Sequence, residues 1–213
     1  FFLVDAPSPE AAASAIVSLC TQALPECYGL SPGADIQVLT PIHKGVAGTI
    51  NLNQQLQKAI NPNPQRLSGP HCQFRPGDRV MHLKNNYAKE VFNGDLGIVT
   101  RLEPVMQTLA VDYDGREVTY ELDELDDLTL GYAISVHKSQ GSEYPAVVMP
   151  MITRHYVMLQ RNLLYTAITR AKQLVILVGS AKAIDIALKN DTPQRRLSGL
   201  SQRLKDCLHR VCG

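Results

Sequence analysis

The chain has 213 residues, of which 45% are hydrophobic and 19% are charged, and its net charge is +1. This length accommodates one large domain or two small ones, and the composition excludes global disorder. No apolar run is long enough to cross a bilayer, and the five cysteines form no C-x-x-C pair, so we predict no membrane segment, disulfide framework or zinc site. We expect a cytoplasmic protein. Because the first residue is Phe1 and not Met, we also expect a piece of a longer protein.

The first third of the chain alternates strands with helices. We predict a buried strand over residues 1–4, then a helix that begins at the N-cap Ser8. A second strand is predicted over residues 36–40, followed by a helix with Leu52 and Leu56 on its apolar face. This alternation is typical of an α/β layer with a parallel sheet.

Residues 72–126 differ from the preceding residues in their sequence pattern and in their charge. They contain eleven acidic and six basic residues, with Asn-Gly and Asp-Gly turns between short apolar runs. Such turns favour antiparallel hairpins, so we predict a small inserted β-barrel. Its predicted strands are 79–83, 96–102, 108–113 and 117–122.

From residue 127 onwards the sequence again alternates predicted strands with predicted helices. The predicted elements are strands over 132–136, 146–149 and 174–178, helices over 162–171 and 181–189, and a basic tail from Thr192. The acidic run 123–127 is interpreted as a solvated linker into this part and not as a metal site.

Two polar segments in this last part are candidates for chemistry. The first follows a predicted strand, where ligands bind in open α/β sheets, although an ordinary solvated loop fits its position equally well. It contains His137, Lys138, Ser139, Gln140, Gly141 and Glu143. In the second segment, Leu164, Ile168 and Ala171 share one helical face, while Thr166 and Arg170 share the exposed one. Taken alone, Arg170 is best interpreted as a surface arginine.

Taken together, the two segments resemble motifs V and VI of superfamily 1 DNA helicases of the RecD/TraA family. The resemblance is carried by V-H-K-S-Q-G-S-E-Y at 136–144 and L-L-Y-T-A-I-T-R-A-K at 163–172. Two further stretches are similar to that family, V-L-T-P-I-H-K-G at 38–45 and N-N-Y-A-K-E-V-F-N-G-D-L-G at 85–97.

The resemblance implies a fold and a domain division. Residues 1–71 and 127–213 would form the second RecA-like domain, an α/β domain of the P-loop NTPase type that lacks the P-loop. Residues 72–126 would form an SH3-like β-barrel inserted into it, near the DNA.

The resemblance also implies roles for individual residues. Arg170 would reach the γ-phosphate of ATP from across a cleft, as an arginine finger. The nucleotide would lie near Gln140, Gly141 and Glu143, with Glu143 facing the ribose. Contacts to single-stranded DNA, or to the space between DNA and nucleotide, would come from Thr40, His43, Lys44, His137, Lys138 and Ser139, and from the barrel residues Lys84, Asn85, Asn86 and Tyr87.

Further barrel residues are weaker candidates for DNA contact. Arg75, Arg79 and Lys89 could contact phosphates, and Phe92 could stack on bases as Tyr87 could. Two arguments oppose this interpretation. Aromatic residues such as Phe92 and Tyr113 are more often part of a barrel core than stacking surfaces, and the barrel is acidic overall.

One absence limits what this chain does alone. A Walker A loop requires a Gly-Lys dipeptide, and the chain contains none, so ATP and Mg²⁺ would be held mainly by an upstream Walker A domain. We therefore predict the C-terminal motor half of an ATP-dependent 5′→3′ DNA helicase, acting in DNA repair or recombination, without ATP hydrolysis by this segment alone.

Three alternatives remain open from the sequence. The chain could be a non-catalytic nucleic-acid- or protein-binding module, against which the intact Gln140, Glu143 and Arg170 count. It could belong to the RecD subunit of an exodeoxyribonuclease V complex with RecB- and RecC-like partners, or to a relaxase-helicase.

Overall fold

The computed structural model describes residues 1–68, 73–153 and 158–191. Predictions for the basic tail from Thr192 lie outside these residues. The strands are β1 (Phe2–Asp5), β2 (Ile36–Thr40), β3 (Leu67–Ser68), β4 (Gln73–Phe74), β5 (Arg79–His82), β6 (Leu96–Glu103), β7 (Thr108–Tyr113), β8 (Arg116–Tyr120), β9 (Leu128–Leu130), β10 (Ala133–Ser135), β11 (Tyr144–Met151) and β12 (Ala171–Gly179). The α-helices are α1 (Pro9–Ser18), α2 (Leu24–Tyr28), α3 (Thr49–Ile60), α4 (Arg161–Ile168) and α5 (Ala181–Lys189). None of the described helices is long and apolar enough to span a membrane.

A five-stranded sheet forms the centre of the α/β part. Its order is β1-β12-β11-β2-β10, and every neighbouring pair is parallel. Apolar residues of α1, α2 and α3 pack on one face, and those of α4 and α5 pack on the other. This three-layer arrangement confirms the predicted α/β fold with a parallel sheet.

The sheet edge formed by β1 differs from the prediction. The strand is present, but Phe2 is 51% exposed and Leu3 is 44% exposed, so the predicted burial is wrong. The reason is topological, because β1 pairs with β12 alone and no described element covers its outer side. The helix that follows begins as predicted, with Ser8 Oγ accepting a hydrogen bond from the Ala11 N–H at 3.1 Å.

The second unit is an antiparallel sheet in the order β8-β7-β6-β5-β9. Four of its strands lie within two residues of the predicted positions. The fifth, Leu128–Leu130, pairs with β5 although it lies beyond residue 126, where the insertion was expected to end. The acidic run predicted as a solvated linker lies in a 3₁₀-helix, Leu122–Asp127, which leads into β9 and keeps Asp123 and Asp126 exposed.

A buried carboxylate joins the antiparallel unit to α3. Asp78 Oδ2 accepts hydrogen bonds from Gln57 Nε2 at 2.5 Å and from the Arg75 N–H at 2.7 Å. Its Oδ1 accepts from Asn61 Nδ2 at 2.8 Å and from the Tyr132 hydroxyl at 3.0 Å. Burial raises the pKa of the Asp78 carboxyl, and these donors oppose the rise because they stabilise the carboxylate.

Arg79 forms a second connection between the two units. Its Nη1 lies 3.2 Å from the carbonyl oxygens of both Gly33 and Ala34, and its guanidinium carbon lies 5.7 Å from the centre of the Tyr144 ring. The side chain is 6% exposed, so the hypothesis that Arg79 contacts DNA is wrong. The sequence could not show this, because an arginine in a short strand is usually exposed.

Candidate functional site

The loop after β10 begins with a short capped turn. Ser135 Oγ accepts a hydrogen bond from the Lys138 N–H at 3.4 Å, which caps the 3₁₀-helix Val136–Ser139. His137 and Lys138 are exposed on this turn. Ser139 is fully buried, and its hydroxyl donates to the Val136 carbonyl at 2.7 Å. The Ser139 hydroxyl is therefore used within the fold, and its placement gives no support to the predicted DNA contact.

The second half of this loop carries the residues expected near the nucleotide. Gln140 and Gly141 are exposed, and Gly141 has φ 88°, a conformation that favours glycine. Glu143 is also exposed, with its carboxylate 3.5 Å from Lys172 Nζ. Such an exposed ion pair is weak, so the Glu143 carboxylate can exchange its lysine partner for a hydroxyl group of a ligand.

Arg170 lies in the turn between α4 and β12. The predicted helix over 162–171 is too long, because α4 ends at Ile168 and Ala171 already pairs with Tyr144 in the parallel sheet. The Tyr144 N–H donates to the Arg170 carbonyl at 2.8 Å. The helical spacing of apolar residues continues to Ala171, but the hydrogen bonds between β12 and β11 end the helix at Ile168. The same pairing places Arg170 beside the loop 136–143.

The Arg170 guanidinium is half-buried and contacts only neutral oxygen atoms. Nε lies 3.3 Å from the Thr166 carbonyl oxygen, Nη1 lies 3.2 Å from the Ser142 carbonyl oxygen, and Nη2 lies 3.4 Å from Thr169 Oγ1. Among the described residues no carboxylate pairs with it. A permanent cation held by neutral groups at a loop edge is suited to an anionic ligand such as phosphate.

A groove lies between the two units, on the α3 side of the parallel sheet. We call it the interdomain groove; its volume is about 400 Å³. Asn53 fixes its floor, because its side-chain amide donates to the Ala133 carbonyl and accepts from the Ala133 N–H, both at 2.8 Å. Residues that line it include His43, Thr49, Asn53, Leu83, Ser135 and Lys138.

Basic and imidazole groups stand at this groove. Partial burial of the Lys138 ammonium lowers its pKa, and an anion beside it would oppose this effect because it favours the charged form. His43 Nδ1 lies 2.5 Å from Thr49 Oγ1, and Lys44 follows it in an exposed position. Thr40 differs, because it is fully buried and its hydroxyl donates to the Ala47 carbonyl at 2.8 Å. Like Ser139, Thr40 presents no free hydroxyl to DNA.

An exposed aromatic pair lies on the hairpin between β5 and β6. Tyr87 is 76% exposed and Phe92 is 44% exposed, with ring centres 5.9 Å apart in an edge-to-face arrangement. Phe92 is thus not core, whereas Tyr113 is buried as expected. The turn after Phe92 reaches the loop, since a Cβ on Gly94 would lie 3.9 Å from the Lys138 carbonyl oxygen.

The polar barrel residues predicted to contact DNA differ in their contacts within the fold. Lys84 Nζ lies 2.5 Å from an Asp127 carboxylate oxygen, but the lysine side chain is 67% exposed. Asn85 Oδ1 accepts from the Asn93 N–H, and Asn86 Oδ1 accepts from the Lys89 N–H. Both asparagines therefore shape the hairpin that carries Tyr87.

Two other cations predicted as DNA contacts have structural partners instead. Lys89 Nζ lies 2.5 Å from Glu124 Oε2, 2.7 Å from the Thr119 carbonyl oxygen and 4.8 Å from the Tyr120 ring centre. Arg75 Nη1 donates a hydrogen bond to the carbonyl oxygen of Asn61, the residue that follows α3, at 2.6 Å. Lys89 is therefore not free for phosphate in this conformation, and Arg75 is tied at Nη1 to the residue that follows α3.

Sequence reasoning missed three groups at the site. The Ser142 carbonyl contacts Arg170, but a backbone oxygen leaves no signal in the sequence. Asn53 forms the groove floor, yet an asparagine within an amphipathic helix is ordinarily solvated. Thr169 contacts Arg170 as well, and its place directly before that arginine was the one signal available.

Two family models match the chain. Residues 130–178 match the UvrD-like helicase C-terminal domain, and they include the loop 136–143 and Arg170. Residues 52–113 match the ATP-dependent RecD-like DNA helicase SH3 domain, and they include most of the antiparallel unit.

Curated relatives agree with these models. The ATP-dependent RecD2 DNA helicase of Deinococcus radiodurans is 42% identical over 82% of the chain, and the match spans 24% of that relative. The RecBCD enzyme subunit RecD of Mycolicibacterium smegmatis is 29% identical over 79% of the chain and 29% of its own length. The chain thus spans about a quarter of the length of these relatives.

Solved structures support the fold. A Pif1 helicase from Bacteroides, in complex with ADP-AlF3 and ssDNA, aligns over 93% of this chain and 51% of its own, with a TM-score of 0.54 and 19% identity. A structure of two coordinating Pif1 helicases at forked dsDNA aligns with a TM-score of 0.55 and 21% identity, over 93% of this chain and 48% of its own. The chain is therefore similar to the UvrD-like helicase C-terminal domain over residues 130–178 and to the SH3 domain of RecD-like DNA helicases over residues 52–113, and its curated relatives are RecD and RecD2 proteins.

Proposed function

We propose that this chain supplies one wall of an ATP site and part of a single-stranded DNA track in an ATP-dependent DNA helicase of the RecD type. The other wall would come from a Walker A domain of the same protein. The observation that carries this proposal is the Arg170 guanidinium, which neutral oxygens hold at a loop edge without a carboxylate partner among the described residues.

The residues present fit one side of a bound ATP. Arg170 offers charge and N–H donors for a phosphate, and Gln140 and Glu143 stand on the adjoining loop with exposed polar groups. The chain has no Walker A loop, so the cradle for the β- and γ-phosphates and the hydroxyl for Mg²⁺ are not part of it. Bound ATP and Mg²⁺ supply the phosphoryl group and its neutralising cation, and Arg170 stabilises the charge that develops during transfer.

The interdomain groove and the Tyr87–Phe92 pair fit a single strand of DNA. Lys138 at the groove and the exposed Lys44 would supply cations for phosphates, and the exposed Lys84 would do so by exchanging Asp127 for a phosphate. The exposed rings would supply surfaces on which bases stack. Two carboxylates of this unit, Asp127 and Glu124, are paired with Lys84 and Lys89, which reduces the repulsion that they exert on a phosphate.

One loop connects the two sites. Lys138 lines the groove, and four residues later the Ser142 carbonyl accepts a hydrogen bond from Arg170. A shift of the guanidinium towards a phosphate would therefore act on the same loop that contacts DNA. Movement in the 5′→3′ direction is implied by the resemblance to the RecD/TraA family, and RecB- or RecC-like partners are suggested by the RecBCD subunit among the relatives; both are part of the proposal.

Replacing Lys138 by alanine tests the DNA path. We expect weaker binding of single-stranded DNA and a slope of log K against log salt that is smaller by about 0.7, since one phosphate contact is lost. Tyr87→Ala should also weaken binding, by about 1–3 kcal/mol, but with an unchanged slope because stacking releases no counterion. Fluorescence titrations at several salt concentrations measure both quantities.

Lys182→Ala is the matched control for Lys138→Ala. Lys182 is an exposed lysine of α5, which packs on the opposite face of the parallel sheet from α3. Its replacement should change neither the affinity nor the slope. Equal slopes for Lys138→Ala and Lys182→Ala would remove the interdomain groove from the DNA path.

A further inference from the structure

The Thr169 hydroxyl lies between the end of α4 and the Arg170 guanidinium. Its Oγ1 is 3.0 Å from the carbonyl oxygens of Tyr165 and Thr166, and 3.4 Å from Arg170 Nη2. Because a carbonyl oxygen can only accept, the single hydroxyl proton points towards one of these two. The hydroxyl lone pairs are then left for the Arg170 N–H. The end of the helix thus fixes this hydroxyl as an acceptor for the arginine.

The guanidinium is held at all three of its nitrogen atoms. The Thr166 carbonyl holds Nε, the Ser142 carbonyl holds Nη1, and the Thr169 hydroxyl holds Nη2. Of the five N–H donors of an arginine, two have no partner among the described residues, one on each terminal nitrogen. These two donors can bind phosphate oxygens. Thr169 is the only side chain among the three restraints.

We infer that Thr169 is a positioning residue for Arg170, because its hydroxyl fixes the rotation of the guanidinium plane with the two free N–H donors facing the phosphate. This inference rests on the proposed role of Arg170. Without the hydroxyl, the arginine keeps its charge near the ATP and its hydrogen bonds at Nε and Nη1, but Nη2 loses its restraint and the guanidinium is held less firmly. The loss therefore falls on turnover and not on ATP affinity, since orientation matters most in the transition state.

Thr169→Val tests this inference in a protein that joins this chain to a Walker A domain. Valine keeps the β-branched shape and removes the acceptor, whereas Thr169→Ser keeps the acceptor. For Thr169→Val we expect kcat for DNA-stimulated ATP hydrolysis to fall about tenfold, with KM for ATP within about twofold of wild type. For Thr169→Ser we expect kcat within about twofold of wild type.

Thr21→Val is the matched control for the loss of a helical hydroxyl. Thr21 Oγ1 donates to the Val17 carbonyl at 2.8 Å on the opposite side of the sheet, so this variant loses a comparable intrahelical bond away from Arg170. Its kcat should equal that of wild type, and thermal melting of all variants reports folding. A Thr169→Val kcat within about twofold of wild type overturns the inference, as does a Thr169→Ser kcat as low as that of Thr169→Val.

Arg170→Ala, measured alongside, separates this inference from the proposed function. If Arg170→Ala keeps full turnover, the proposed function itself fails. If Arg170→Ala loses turnover and Thr169→Val does not, only the inference about Thr169 fails. We expect the double variant to be no slower than Arg170→Ala, because Thr169 acts through the arginine. A further loss in the double variant contradicts that mode of action.

Discussion

Arg170→Ala should lower the kcat for ATP hydrolysis by about a thousandfold or more in a protein that joins this chain to a Walker A domain. The guanidinium has no carboxylate partner among the described residues, and two of its N–H donors are free for a phosphate. ATP affinity should stay within about tenfold of wild type, because most of the binding energy would come from the Walker A side. Steady-state ATPase assays and nucleotide titrations measure the two effects separately.

Arg161→Ala is the matched control for this prediction. Arg161 begins the same helix, but it is exposed and its Nη1 lies 2.5 Å from an Asp191 carboxylate oxygen. Loss of such a surface ion pair changes little, so its kcat should match wild type. This chain alone, which contains no Walker A loop, should show no turnover and is measured as the lower reference. Wild-type turnover by Arg170→Ala would refute the arginine-finger role.

Asp78→Ala should destabilise the fold by about 3 kcal/mol, because the Tyr132 hydroxyl and the Arg75 N–H lose their buried acceptor. Gln57 and Asn61 lose one of two partners each, since their amides also donate to carbonyl oxygens. For a chain of this length the expected fall in Tm is about 6–12 °C. Urea and thermal unfolding of the chain measure both quantities.

Asp112→Ala is the control for Asp78→Ala. Asp112 accepts one hydrogen bond, from the Gly115 N–H at an exposed turn, so its replacement should cost less than about 1 kcal/mol. Asp78→Asn keeps the shape but turns one acceptor into a donor that faces other donors, so it should also be less stable than wild type. If both Asp78 variants unfold with wild-type midpoints, the carboxylate does not join the two units.

Local signals in the sequence predicted most of the fold. The N-cap Ser8, the apolar face of α3 and the turn dipeptides of the barrel each encode a structure that forms within a few residues. The errors occur where pairing between strands that are far apart in the sequence determines the structure. The strand β9 was missed because its partner β5 lies about fifty residues away, and α4 was extended too far because the ladder to β11 ends it.

The candidate site was predicted as positions and not as contacts. The motifs pointed to Arg170, Lys138 and Tyr87. The structure places Arg170 beside the loop 136–143, Lys138 at the interdomain groove and Tyr87 in an exposed position on the barrel hairpin. The sequence could not show that the Ser139 hydroxyl turns inwards, because a loop serine has no preferred direction. Nor could it show that Lys89 is held by partners about thirty residues away.

The most direct test of the proposed ATP site compares the affinity for ADP alone with that for ADP plus aluminium fluoride, which mimics the phosphoryl group in transfer. In a protein that joins this chain to a Walker A domain, wild type should bind the fluoride complex at least about a hundredfold more tightly than ADP. Arg170→Ala should lose most of this difference while its affinity for ADP stays unchanged. If Arg170→Ala keeps the wild-type ratio of the two affinities, Arg170 does not contact the transferred phosphoryl group and the proposed site is wrong.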